Sequence, residues 1–101
     1  MTLTYKQRKQ AYRVLLGEQL VRAREAKGMS QQEVADATGI SRVSVSHYER
    51  GMRAINTEDL IMYCETCGFN TGEIMEHIRT ASTAELERAY AVYWERITSL
   101  K

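Results

Sequence analysis

Apolar residues along the chain recur at steps of three and four, in short runs cut by glycines. Leu16, Leu20 and Ala23 or Arg24 align in one run, and Val34, Ala35 and Thr38 in the next. Leu60, Ile61, Cys64 and Cys67 form a third, and Ile74 and Ile78 a fourth. This is the period of an amphipathic helix, not the alternation of a half-buried strand. Gly28, Gly39, Gly51 and Gly68 each follow such a run, where a left-handed C-terminal residue is expected. Starts agree with stops. Ser30 with Glu33 and Ser82 with Glu85 have capping-box spacing, Thr57 leads into Glu58 and Asp59, and Ser41 is a further N-cap. The pattern predicts helices at 17–27, 31–38, 41–50, 57–67, 71–79 and 83–100. Such short helices are held by packing on one another rather than by propensity.

The stretch from Ser30 to Gly51 says most about function. One short helix ends at Gly39 and another begins about three residues later, the layout of two helices joined by a tight turn. In the second of them Val45, Tyr48 and Met52 fall at i, i+3 and i+7 and can pack inward with Ile40. Arg42, Ser46 and Arg50 run along the opposite side, with Val43 and His47 beside them. Such a helix has the size and chemistry to enter a DNA major groove. Arg can bond guanine O6 and N7 in two-point fashion, His and Ser can bond base edges or phosphates, and Val43 can meet a thymine methyl.

A chain of 101 residues makes one small domain with room for an extra helix or arm. The absence of Pro and the presence of only 6 Gly leave too little turn chemistry for a many-stranded fold, so an all-α class is expected. The net charge of +1 hides an asymmetry: residues 1–53 hold 10 Lys/Arg against 5 Asp/Glu, whereas residues 54–101 hold 4 against 8. The first half, at +5, suits a phosphate surface; the second, at −4, is better placed toward solvent or protein.

The first ten residues contain no apolar segment of the kind that follows a secretory start, and the longest apolar run, Ala89 to Trp94, is far shorter than a membrane span. A cytoplasmic location with no membrane partner is expected. Cys64 and Cys67 form a C-x-x-C, but structural zinc takes four ligands and the chain adds only His47 and His77. Small buried hydrophobes are expected there, with no metal or cofactor. His77 with Glu73 and Glu76 is an ordinary surface grouping, and no nucleophile elbow or phosphate loop is present, so an enzyme is not expected.

Both ends of the chain carry further signals. Leu86, Tyr90, Tyr93, Ile97 and Leu100 follow steps of four and three, a heptad seam, with Ala89, Val92 and Trp94 broadening it. Glu87, Arg88, Glu95 and Arg96 occupy the other side. Residues 80–101 are thus expected to be a dimerisation helix, with Trp94 in its surface, that also packs on its own domain; an added core helix in a monomer is the alternative. Residues 1–15 carry Lys6, Arg8, Lys9 and Arg13 and no acid, interleaved with Tyr5 and Tyr12. They form either a helix packing Tyr5, Tyr12 and Leu16 or an arm that tracks DNA.

Residues 16–78 resemble the helix-turn-helix domain of the phage repressor and Cro-type (XRE-like) family. The resemblance lies in the Leu16 and Leu20 spacing, Gly28 with Ser30-Gln31, Glu33-Val34-Ala35, Gly39-Ile40-Ser41, Val45-Ser46 and Tyr48-Glu49-Arg50-Gly51. It implies a five-helix repressor-like bundle over residues 16–79, here with an amphipathic C-terminal helix, binding double-stranded operator DNA as a homodimer. By the same resemblance Arg42, Val43, Ser46 and His47 read bases, and Gln31, Ser44, Arg50 and Arg53 contact phosphates. Arg24 and Glu49 match a pair that in relatives forms a buried salt bridge. Many relatives carry an amide at the position of Arg42; Arg accepts no hydrogen bond, which implies a preference for G·C at that contact. The expected function is transcriptional repression. Two alternatives stand beside it: an antitoxin whose acidic half binds a toxin, and a helical bundle that keeps the motif only as scaffold.

Overall fold

Among the described residues, 2–99 of a computed structural model, six helices follow one another: α1 (Tyr5–Ala26), α2 (Gln31–Thr38), α3 (Arg42–Glu49), α4 (Thr57–Cys67), α5 (Thr71–Arg79) and α6 (Thr83–Thr98). No strand occurs among them. The all-α class is as expected, with α6 packed into the same body as the other five. Caps set most boundaries: Ser30, Ser41, Asn56, Asn70 and Ser82 each accept a backbone N–H from the residue three positions on.

The first helix is far longer than the expected 17–27. Thr4 accepts from the backbone N–H of Gln7 at 3.1 Å, and the Gln7 side chain accepts from Thr4 N at 2.9 Å, a reciprocal cap that starts α1 at Tyr5. Residues 5–15 are therefore helix and not an arm, and Ala11, Val14 and Leu15 carry the buried stripe toward the N-terminus.

α1 is the central post, touching α3, α4, α5 and α6, while α2 packs on α3 and α4. Val14, Leu20, Val34, Val45, Tyr63 and Cys64 are fully buried. On α4 the inward stripe is Leu60, Tyr63, Cys64 and Cys67, and Ile61 is exposed instead of packed. Both thiols are inside, and burial pushes each above its ordinary value. Among the described residues no three His, Cys, Asp or Glu cluster as a metal site would require.

Two glycines allow α1 and α3 to cross closely. A Cβ on Gly17 would stand 2.4 Å from the carbonyl oxygen of Glu49. Gly51, at φ +72°, ends α3: its N–H reaches the Tyr48 carbonyl at 3.2 Å, and Met52 N–H reaches that of His47 at 2.9 Å. A Cβ on Gly51 would meet the Val14 backbone at 2.8 Å.

The heptad seam of α6 is spent largely on its own chain, where it packs along α1. Leu86 and Ala89 are buried, and Tyr90, Val92 and Tyr93 pack against the core. Gln10 donates to the Tyr93 hydroxyl at 3.2 Å, and Arg88 holds Glu18 at 3.0 Å. Trp94 points outward, 56% exposed, and Ile97 is half-buried. Leu100 lies outside the described residues.

Candidate nucleic-acid interface

α3 is locked on one side and open on the other. Val45 and Tyr48 are buried beside Ile40, while Arg42, Val43 and Arg50 are exposed and Ser46 and His47 are half-buried. The Tyr48 hydroxyl donates to Asp59 at 2.8 Å; burial, aided by that carboxylate, raises the phenol above its ordinary value. The buried pair and this bond set which face of α3 turns outward. Arg42 and Arg50, eight residues apart, stand about 12 Å apart along the helix.

At the N-terminal end of α3 three residues form a polar patch. Ser41 accepts the N–H of Ser44 at 3.1 Å and donates its own hydroxyl to Ser44 Oγ at 2.9 Å. Arg53 reaches back from the loop after α3 and donates to the same oxygen at 2.9 Å. Ser44 Oγ thus accepts twice, and its own proton is left to donate outward, as a phosphate oxygen requires. Ser44 and Arg53, expected as separate backbone contacts, are brought together.

Below α3 lies a buried carboxylate. Glu49 is 4% exposed and accepts from four donors. Arg24 Nε and Nη2 bond its two oxygens at 2.7 and 2.8 Å, Gln31 Nε2 bonds Oε1 at 3.0 Å, and the Tyr63 hydroxyl donates to Oε2 at 2.5 Å. Arg24 uses Nη1 on the Met29 carbonyl at 3.0 Å. Burial alone would raise the Glu49 pKa, but the bonds from Arg24, Tyr63 and Gln31 outweigh it and hold the carboxyl below its ordinary range. The hydrogen bond to Glu49 pushes Arg24 up, and burial, with the same carboxylate, pushes the Tyr63 phenol up.

This cluster fixes where Gln31 can act. One amide N–H is held by Glu49, and the amide carries a second that can donate to a phosphate. The Ser30 and Glu33 cap satisfies the N–H groups of those two residues. Those of Gln31 and Gln32 stay at the positive end of α2, where an anion is favoured.

Tyr63, Asp59 and Arg96 are site residues that sequence reasoning missed. The i, i+3, i+4 stripe through Leu60 and Cys64 would have placed Tyr63 inside. Nothing local marks Arg96, whose Nη1 donates to the Arg50 carbonyl at 2.6 Å and ties α6 to the end of α3.

Two short helices at a tight turn, the second fixed by its inner face and bearing Arg, Val, Ser and His on the outer one, define a helix-turn-helix DNA-binding module. The chain belongs to the helix-turn-helix family, whose model matches residues 20–74, more than half of it. Its class is accordingly that of DNA-binding transcriptional regulators. The fold is similar to the crystal structure of the clp gene regulator ClgR from Corynebacterium glutamicum, with a TM-score of 0.61 and 24% identity over 88% of this chain and 86% of that one. No curated protein matches the chain. No helix among the described residues is long and apolar enough to cross a membrane.

Proposed function

We propose that the chain is a sequence-specific transcriptional repressor that occupies a two-fold symmetric operator as a homodimer. One α3 enters each of two major grooves about 34 to 36 Å apart. The observation that supports this reading is Val43, 58% exposed at the leading end of a helix whose other valine is fully buried. A valine left in water forgoes about 1.5 to 3 kcal/mol of burial, and a thymine methyl is a surface that restores it. Arg42 and His47 supply hydrogen bonds beside it, with Ser46 between.

Selection of bound sites from a random duplex pool tests the proposal. An enriched palindrome supports it; a pool that stays unenriched at low salt overturns it. At the selected site Arg42→Ala or His47→Ala is expected to cost about 1 to 3 kcal/mol and to relax base choice, with little change on random DNA. Arg53→Ala weakens all sequences alike and flattens the dependence of log K on log salt by about one unit. Competition anisotropy with selected and random duplexes separates the two behaviours.

With most of the α6 seam turned inward, the proposed dimer contact is the open side of that helix, at Trp94 with Ile97. Trp94→Ala is expected to yield a monomer by sedimentation at micromolar concentration; a persistent dimer would place the contact elsewhere. The same exposed Trp, in the half of the chain with −4 charge, favours one second reading: an antitoxin that binds a toxin there while α3 autoregulates its operon. Co-purification with the product of an adjacent gene would support it, and the lack of any stable partner would rule against it.

A further inference from the structure

Four arginines are spent on intramolecular acceptors. Arg24, Arg79 and Arg88 each hold a carboxylate, and Arg96 holds a backbone carbonyl. On the N-terminal half of α1, by contrast, Lys6, Lys9 and Arg13 have no carboxylate partner among the described residues, and the first acid in the chain is Glu18. The three fall at i, i+3 and i+7 and share one face of the helix. Tyr5 is exposed beside them, with the Lys9 ammonium 5.3 Å from its ring centre.

Position ties this row to the interface already described. Arg13 and Tyr12 line an open groove together with Met75 and Ile78 of α5 and with Ala54 and Ile55, the residues immediately after Arg53. Arg13 thus lies beside the loop that follows Arg53, and from it one shallow surface runs along α1 past Lys9 to Lys6. The row spans about 10 Å of helix. Each of the three cations ends a long side chain, so the row can meet at most about three phosphates of one strand. A lipid surface is a poorer fit, because the apolar side of this segment, Ala11, Val14 and Leu15, is already spent on the core.

We infer that Lys6, Lys9 and Arg13 form a second, sequence-independent contact for the sugar-phosphate backbone of duplex DNA, outside the helix-turn-helix and on the side of the loop that follows α3. The inference rests on the DNA-binding reading of α3. It extends the footprint of each half-site past the base pairs that α3 reads.

The test is an anisotropy titration of the full chain against a 24-base-pair random-sequence duplex (about two turns,) between about 50 and 200 mM salt. The triple variant K6Q/K9Q/R13Q is expected to flatten the slope of log K against log salt by about 2 to 3 units. Wild type then loses about 40-fold more affinity across that range than the variant does. Arg22→Gln, on the same helix beside Glu18 and Glu25, is expected to leave the slope in place. An unchanged melting temperature confirms that the triple variant is folded.

Salt-sensitive wild-type binding with the same slope in the triple variant overturns the inference and leaves the α3 reading intact. Flattening by Arg22→Gln as great as that by the triple variant also overturns it, since net charge rather than this face would be responsible. Failure of wild type to bind the duplex at 50 mM salt overturns the α3 reading itself. A triple variant that binds duplex as wild type does but no longer binds phosphatidylserine vesicles would assign the face to membranes and overturn the inference.

Discussion

Glu49→Gln is expected to destabilise the protein by about 3 to 5 kcal/mol. That is a large part of the roughly 5 to 15 kcal/mol that holds a domain together. The substitution keeps the shape and removes the charge, leaving the Arg24 guanidinium, whose side chain is only 14% exposed, without its counter-ion. Tyr63 is less affected, since the Leu20 carbonyl lies 3.0 Å from its hydroxyl and offers a second acceptor. At about 4 to 8 °C per kcal/mol for a domain of this size, the melting temperature should fall by roughly 12 °C or more. Arg24→Met with Glu49→Leu together should recover most of that loss, because a packed apolar pair costs less than half of an ion pair. A drop of only a few degrees in Glu49→Gln would show that the cluster is not intact in solution.

The same carboxylate sets an acid limit. Because its pKa is lowered in the folded state, Glu49 contributes stability in full above the unfolded value of about 4.3, and the contribution disappears as pH falls through the folded value. Wild-type stability should decline on acidification below about pH 4, and Glu49→Gln should show a shallower decline across that window, read from melting temperatures at successive pH values.

Local chemistry made much of the fold legible in the sequence. Ser30 with Glu33 and Ser82 with Glu85 are complete signals within four residues, and α2 and α6 begin where they place them. The inward set of Val45 and Tyr48 follows from helical period alone, and so does the exposure of Arg42 and Val43. Thr4 with Gln7 is an equally local signal; it was obscured because the residues after it are mostly charged and the apolar stripe there is thin. What was not legible is long-range. The convergence of Tyr63 and Gln31 on Glu49, and of Arg96 on the Arg50 carbonyl, joins residues 14 to 46 positions apart. A heptad pattern states that a face is apolar and not which surface covers it, so the turn of α6 onto α1 could not be told from a turn toward a second chain.

Gly17 is the sharpest case of a residue whose role only the packing discloses. Within a helix a glycine is a weakness, and Gly17→Ala judged by propensity alone should stabilise by up to about 1 kcal/mol. The crossing with α3 reverses that sign. The added methyl would stand 2.4 Å from the Glu49 carbonyl oxygen and 2.8 Å from that of Tyr48, and both are backbone atoms that no rotamer change can move. Relief requires α1 and the end of α3 to separate, which also stretches the Arg24 to Glu49 bonds and loosens the helix that carries Arg42 and His47. Overpacking of this kind costs about 1 to 3 kcal/mol, occasionally more, and a contact against rigid backbone lies at the upper end. With a urea slope of about 1 to 3 kcal/mol per molar for small proteins, the denaturation midpoint should fall by about 1 M or more. DNA affinity should fall with it, even though Gly17 is buried beneath α3 and presents no side chain of its own. A midpoint that rises in Gly17→Ala would mean that helix propensity prevails and that α1 and α3 do not meet as closely as the structure has them.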